Sequence, residues 1–249
     1  MYLTIKGLVV RVTNYNDTDA LLTVLSSSHG KLTLKARGLR RKNSPLVASC
    51  QLLAYGEFTV FEYRDMYTIN EARSVELFSG IRRDIQKLAL GTYFAQVSEV
   101  VSQEDIPNPE LLSLTLNCLY GIATMDLDEA LIKACFELRC ACIAGYSPNL
   151  HGCAECGNPL ANRFDTSGGH LICDSCTGAD SDGIKMPVPP GVLDAMRYIC
   201  SCEMKRLFAF QLPYDSMIRL SQITELYLST QLERGFSTLD FYKSLFYST

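Results

Sequence analysis

The sequence predicts an α+β multidomain chain: a small five-stranded barrel at the N-terminus, then an all-α domain with a four-cysteine metal-binding segment embedded in it. Three observations carry this prediction. Short β-branched and alternating runs, separated by turns, fill residues 1–79. Apolar spacing becomes helical from about Gly80. Cys153-Ala-Glu-Cys156 and Cys173-Asp-Ser-Cys176, sixteen residues apart, interrupt the helical part.

The strands come first. Tyr2 to Thr13 is rich in β-branched residues, with alternation in its first half. Asn14 to Asp17 makes a turn, Ala20 to Ser26 a second strand, and Ser27-Ser-His-Gly30 another turn. Lys31-Leu-Thr-Leu-Lys-Ala-Arg37 alternates cleanly, which places Lys31, Thr33, Lys35 and Arg37 on one face and Leu32, Leu34 and Ala36 on the other. Gln51 to Phe61 and Tyr67 to Arg73 complete the set. Five short strands at close intervals predict a small closed barrel. The OB-fold is the five-stranded candidate, and an SH3-like barrel fits the periodicity nearly as well.

Helices follow. Ile81 to Val101 carries apolar residues at helical spacing, and Pro107 and Pro109 open a helix through Ile122. Asp126 is placed to cap a helix over Leu127–Ala144 that Gly145 ends. Beyond the cysteines, helices are expected over Gly191–Cys202, Tyr214–Glu233 and Leu239–Tyr247. The predicted domains are therefore residues 1–79, the five-stranded barrel for which the OB-fold is the candidate, and residues 80–249, a helical domain with the metal segment at about 150–178.

The cysteine spacing is that of a structural tetrahedral zinc site, with one Zn2+ held by Cys153, Cys156, Cys173 and Cys176. Gly157 and Pro159 close the first turn, Gly168-Gly169 form a hairpin tip, and His170 to Cys173 return as a strand. The segment has almost no apolar core of its own, so the metal would hold it closed. Unliganded thiols or two disulfides are the competing readings. His151 and His170 flank the cysteines as surface residues or substitute ligands.

Composition narrows the function. The 249 residues are 47% hydrophobic and 20% charged, a soluble globular balance without a membrane span or secretion signal. Eleven cysteines, seven outside the zinc pairs, read as reduced thiols, so a cytoplasmic location is expected. Cys140 and Cys142 lie two apart on a helix and face different sides, which makes them poor redox partners. No phosphate-cradling glycine loop, nucleophile elbow or carboxylate pair beside a base is present, and four thiolates would fill a zinc shell, so the chain is expected not to be an enzyme.

Net charge is −4, but residues 1–79 carry ten Lys/Arg against seven Asp/Glu, net +3, and residues 80–249 carry thirteen against twenty, net −7. Lys31, Lys35, Arg37, Arg40, Arg41 and Lys42 are six cations without an acid in twelve positions. Such a stripe can track a phosphate backbone, and Tyr55, Phe58, Phe61, Tyr63 and Tyr67 offer rings on which bases stack. A solvated surface strand with core aromatics is the bland alternative.

With these pieces in order, the chain resembles the RecO family of bacterial recombination mediators along nearly its full length. The resemblance rests on Asp17-Thr-Asp-Ala-Leu-Leu-Thr-Val-Leu25, Gly30-Lys-Leu-Thr-Leu-Lys-Ala-Arg-Gly-Leu-Arg-Arg-Lys42, Phe136-Glu-Leu-Arg139, Ala144-Gly-Tyr-Ser-Pro148, Cys153-Ala-Glu-Cys-Gly157, Phe164-Asp165 and Pro187-Val-Pro-Pro-Gly191. It implies an OB-fold, a helical body and an embedded zinc site. It also implies binding of single- and double-stranded DNA, annealing of complementary strands, and loading of RecA, with RecR, onto DNA coated by single-strand-binding protein. DNA contact then falls on Lys31, Lys35, Arg37, Arg40, Arg41 and Lys42. The acidic tail of single-strand-binding protein is expected to meet the helical part, with Arg82, Arg83, Arg139, Arg197, Lys205 and Arg206 as candidates. The rival readings are a zinc-stabilised protein–protein adaptor whose barrel does not bind DNA, and a zinc enzyme acting on nucleic acid.

Overall fold

β1 (Tyr2–Asn14) is the longest strand and pairs along both edges. In the computed structural model, which describes residues 1–64, 66–178 and 183–246, its first half runs antiparallel to β4 (Tyr55–Tyr63) and its second half to β2 (Ala20–Ser26). β2 pairs with β3 (Gly30–Ala36), and β4 with β5 (Met66–Glu76). A short parallel seam, Leu34 opposite Tyr67 and Lys35 opposite Thr68, joins β3 to β5 and closes the barrel in the order β1-β2-β3-β5-β4. This is the OB-type five-stranded Greek-key barrel that the sequence predicts.

One strand can serve two neighbours because it bends. A bulge between Val9 and Arg11 shifts its register, and Gly7 lies opposite Ser26 on one side and Gly56 on the other. A Cβ on Gly7 would strike the Val24 side chain and lie 2.6 Å from the Leu25 carbonyl oxygen, so only glycine fits this corner. Ile5, Val9, Leu22, Val24, Leu32, Leu34, Phe58, Val60 and Ile69 fill the interior. The fourth strand starts at Tyr55 rather than Gln51, because turns occupy residues 45–53 and buried Leu53 takes a positive φ of 63°.

The first three α-helices follow the expected apolar spacing, and side-chain caps set their starts. Ile81–Arg83 is a single 3-10 turn. Asp84 then starts α1 (Ile85–Val101) by accepting the Gln86 and Lys87 N–H groups. Asn108 caps α2 (Pro109–Thr124) by accepting from Leu111 N. α3 (Glu129–Ile143) is capped by Asp128, not Asp126, through the Ala130 N–H, and Gly145 follows it with φ 96°. α4 (Pro190–Ser201), α5 (Tyr214–Gln231) and α6 (Ser237–Ser244) complete the set; Tyr247, in the last expected helix, lies outside the described residues. None of the described helices is long and apolar enough to cross a membrane.

Barrel strands end at Glu76, near the expected change at 79/80, whereas the compact units divide further on. The barrel groups with α1, α2 and α6 in one unit (Met1–Met125, Phe236–Thr249), and Asp126–Gly235 forms the other. In the first unit, Ser98 of α1 and Thr115 of α2 share a buried hydrogen bond of 2.8 Å. In the second, α3 packs on α5 through buried charge. Lys133 lies 2.9 Å from Glu137 and 2.8 Å from Glu225, and Thr224 donates to Glu137 at 2.8 Å. Burial pushes the Glu137 carboxyl up, and Lys133 opposes that shift.

The cysteine segment carries a four-stranded sheet that the sequence shows only in part. β6 (Asn149–Cys153), β7 (Arg163–Asp165), β8 (His170–Ile172) and β9 (Lys185–Pro187) lie in the order β6-β8-β7-β9. The expected hairpin tip forms at residues 166–169, where the Asp165 carboxylate accepts the Ser167 and Gly168 N–H groups. The segment does have an apolar core. Leu150, Ala161, Phe164, Leu171, Ile172 and Val188 are buried, and Phe164 meets Tyr227 of α5 edge-on at 5.1 Å. Removing the cation from the α3–α5 network strands two carboxylates, so Lys133→Ala is expected to lower stability by about 3–5 kcal/mol in denaturant unfolding.

Candidate nucleic-acid interface and metal centre

The barrel brings one exposed face together from four strands. Cross-strand partners point the same way, and the register aligns Tyr2, Phe61, Thr68 and Lys35 in a row across β1, β4, β5 and β3. Tyr2 and Phe61 are both exposed, with ring centres 5.2 Å apart. Tyr63 and Met66, paired at the end of β4 and β5, extend the exposed strip, and Arg64 stacks over the Tyr63 ring at 5.1 Å. Of the five expected rings, Phe61 and Tyr63 are exposed, Tyr55 and Tyr67 are half-buried, and Phe58 lies wholly in the core. Phe58 is therefore unavailable for stacking.

The six predicted cations separate into two groups. Lys31 reaches towards the C-terminal end of α1, where its ammonium donates to the Glu99 carbonyl at 3.5 Å. Lys35 is half-buried, paired with Asp19 at 3.5 Å and lying over the Tyr15 ring at 4.6 Å. Arg37, Arg40, Arg41 and Lys42 are exposed in the loop after β3. Arg40 donates to the Asn16 carbonyl at 2.6 Å, which leaves its charge without a carboxylate partner. Arg37, Arg41 and Lys42 likewise have no carboxylate partner among the described residues.

Asp19 holds this loop. The Asp19 carboxylate accepts the Gly38 N–H at 2.9 Å, the Thr18 hydroxyl at 3.1 Å, the Asn16 amide at 3.1 Å and the Lys35 ammonium. Arg40 N adds a backbone bond to the Thr18 carbonyl at 3.0 Å. These donors, Gly38 N–H foremost, hold the Asp19 carboxyl down at about 2. Asp19 and Asn16 are turn residues in the sequence, but the partner loop lies about twenty positions away and becomes adjacent only when Ala20 pairs with Ala36.

In the second unit the four cysteines meet. The Sγ atoms of Cys153, Cys156, Cys173 and Cys176 all lie within 4.8 Å of one another. The first turn is closed by Gly157 N–H donating to the Cys153 carbonyl at 2.9 Å, and the second by Cys176 N–H donating to the Cys173 carbonyl at 3.0 Å. Ala154 N–H donates to Leu171 O at 2.9 Å and docks one turn on the other. Arg163 and Asn162 clamp Asp174 inside the second pair at 2.6 and 2.8 Å. Backbone N–H groups of Cys156 and Cys173 aimed at Cys153 hold its thiol down at about 6, while hydrogen bonding among the sulfurs pushes Cys176 up to about 12. The donor set fits a tetrahedral metal, since Zn–S bonds of about 2.3 Å place sulfurs about 3.8 Å apart and Cys156 and Cys173 already stand at 3.7 Å. Neither His151 nor His170 joins the group.

Three of the six cations considered for partner contact bond backbone carbonyls. Arg82 donates to Leu52 O, Arg139 to Ile199 O and Cys200 O, and Arg197 to Leu150 O.

Because the folded carboxyl of Asp19 titrates below its ordinary range, the order it gives the loop is present above that range and is lost as pH falls through about 2. Asp19→Asn keeps the shape and removes the charge. Limited trypsin digestion of that variant at neutral pH is expected to cut faster at Arg37, Arg40 and Arg41 than in the wild type, with global unfolding little changed.

Comparison with known proteins agrees with this architecture. Residues 1–78 match the family model described as recombination protein O N terminal, and residues 82–240 match recombination protein O C terminal. The DNA repair protein RecO of Acetivibrio thermocellus is 32% identical over 246 residues, covering 98% of this chain and 97% of that one. The protein of the same name from Alkaliphilus metalliredigens is 29% identical over 248 residues, covering 98% and 100%. That from Listeria monocytogenes is 30% identical over 203 residues, covering 81% and 78%. With both family models in chain order over the barrel and the helical part, this chain belongs to the recombination protein O (RecO) family of DNA repair proteins.

Proposed function

We propose that this chain is a non-enzymatic recombination mediator that binds single- and double-stranded DNA, anneals complementary strands and, with RecR, helps load RecA onto DNA coated by single-strand-binding protein. The observation that carries the DNA reading is a loop of exposed cations, pinned by Asp19, beside an exposed aromatic row on the same barrel. Arg37, Arg40, Arg41 and Lys42 neutralise phosphates, Lys31 and Lys35 flank them on the strand, and Tyr2, Phe61 and Tyr63 stack bases. Backbone contact from Lys and Arg leaves base-pairing edges open, which annealing needs.

In the helical unit, Cys153, Cys156, Cys173 and Cys176 would hold one zinc ion. Four thiolates close the shell, so the metal supplies rigidity rather than a reactive water. The partner surfaces for RecR and for the acidic tail of single-strand-binding protein belong to the helical part in this reading. A zinc-stabilised protein–protein adaptor is the second reading. It is favoured by the net charge of −7 over residues 80–249 and by a mainly apolar cleft of about 380 Å³ lined by Ile85, Leu88, Ala89 and Phe241 with Thr92, Ser237 and Thr238.

Fluorescence anisotropy with labelled single-stranded DNA across a salt series separates the two. Affinity is expected to fall with salt at a log–log slope of about −0.7 per neutralised phosphate. Arg37→Glu/Arg41→Glu should flatten the slope by about 1.4 and weaken binding more than tenfold, while the variant stays folded. Binding by wild type and variant alike, with an unchanged slope, would sink the barrel-loop assignment. Absence of binding by both would leave the adaptor. For the metal, mass spectrometry of the native protein is expected to find one zinc per chain. Cys153→Ala should lose it and melt at a lower temperature, yet stay folded on the Phe164–Tyr227 core.

A further inference from the structure

Seven cysteines lie outside the metal cluster, and two of them meet across helices. The Cys142 sulfur, in the last turn of α3, stands 3.7 Å from the Cys200 sulfur near the end of α4. Both are half-buried, whereas Cys50, Cys118, Cys135 and Cys140 are buried. Arg139, one turn before Cys142, donates at 3.2 Å to the Ile199 carbonyl and at 2.7 Å to the Cys200 carbonyl. That bond fixes the two helix ends against each other with the sulfurs between them. Cys140, two residues earlier, points into the core, as helical spacing predicts.

We propose that Cys142 and Cys200 form a peroxide-sensitive dithiol that closes to a disulfide joining α3 to α4. The chemistry follows from the surroundings. The neighbouring Cys200 sulfur, the Ser147 hydroxyl and the Arg139 guanidinium lower the Cys142 thiol to about 7, which favours its thiolate. Cys200, beside that thiolate, is pushed up and stays protonated. The Cys142 thiolate attacks one oxygen of hydrogen peroxide; the S–O bond forms, the O–O bond breaks, and the departing hydroxide takes a proton to leave as water. Cys200 then gives up its proton and attacks the sulfenic sulfur, which expels the hydroxyl as a second water. Two thiols and one peroxide become one disulfide and two waters. From 3.7 Å the sulfurs must approach by about 1.7 Å to reach the disulfide bond length of about 2.05 Å. A dithiol reductant reverses the bond by exchange.

The test uses the full-length, zinc-loaded chain treated with a small excess of hydrogen peroxide, then alkylated and digested without reductant. The expected result is loss of the two alkylation sites Cys142 and Cys200 together, with a linked peptide that dithiothreitol dissolves. Cys200→Ser is expected to leave Cys142 as a sulfenic acid that dimedone captures. Recovery of Cys142 and Cys200 as free thiols when Cys156 is already oxidised would overturn the proposal. So would linkage of Cys200 to Cys202 in place of Cys142.

Discussion

Barrel closure through a single shared strand is the constraint on which the first unit depends. β1 has to bend far enough to pair with β4 at one end and β2 at the other, and the bulge at Val9/Arg11 and the bare backbone of Gly7 allow it. Once β2 and β3 pair in register, Ala20 lies opposite Ala36, and the residues just outside each strand become neighbours. Asp19 therefore reaches Gly38 without any local signal for that contact. A cationic loop held near an anion sounds self-cancelling, yet Asp19 spends its charge on a backbone N–H, a hydroxyl, an amide and half-buried Lys35. The outer arginines keep their charge for solvent.

The second unit is organised differently. Its helices share a buried charge network at Lys133, Glu137 and Glu225, and its sheet packs an apolar face on Tyr227 of α5. The four cysteines stand at one end of that sheet, Cys153 as the last residue of β6 with Cys156 just beyond it, and Cys173 and Cys176 after β8. The segment thus has an apolar core of its own beside the four cysteines that could hold a metal, where the sparse apolar content of residues 153–176 led us to expect the metal alone. Phe164, Leu171 and Val188 supply that core only because β9, eleven residues past Cys176 at its far end, returns to pair with β7.

Local chemistry made most elements legible. Alternation in Lys31–Arg37, the paired Cys-x-x-Cys turns, the Gly168-Gly169 tip and the helical periods all announce themselves within a few residues. What stayed hidden depends on register between distant strands. That Tyr2 would meet Phe61, or that Lys35 would turn to Asp19 and Lys31 to Glu99, follows from pairing over tens of residues. Phe58 differs from Phe61 only by parity along β4, and only the folded barrel shows which parity faces inward. The Asp128 cap was missed in favour of Asp126 because both precede an apolar run, and only backbone geometry shows which carboxylate reaches an N–H.

The parallel seam between β3 and β5 has a further meaning. Two residue pairs are a short suture beside the seven-pair ladders on β1 and β2, so the barrel wall is thinnest there. Lys35 and Thr68 face outward across that suture from its two lips. A polyanion lying over both would bridge what the backbone joins only briefly, acting as a splint on the wall. Occupancy and barrel integrity would then rise together by mass action, each drawing on the same few ångströms of edge.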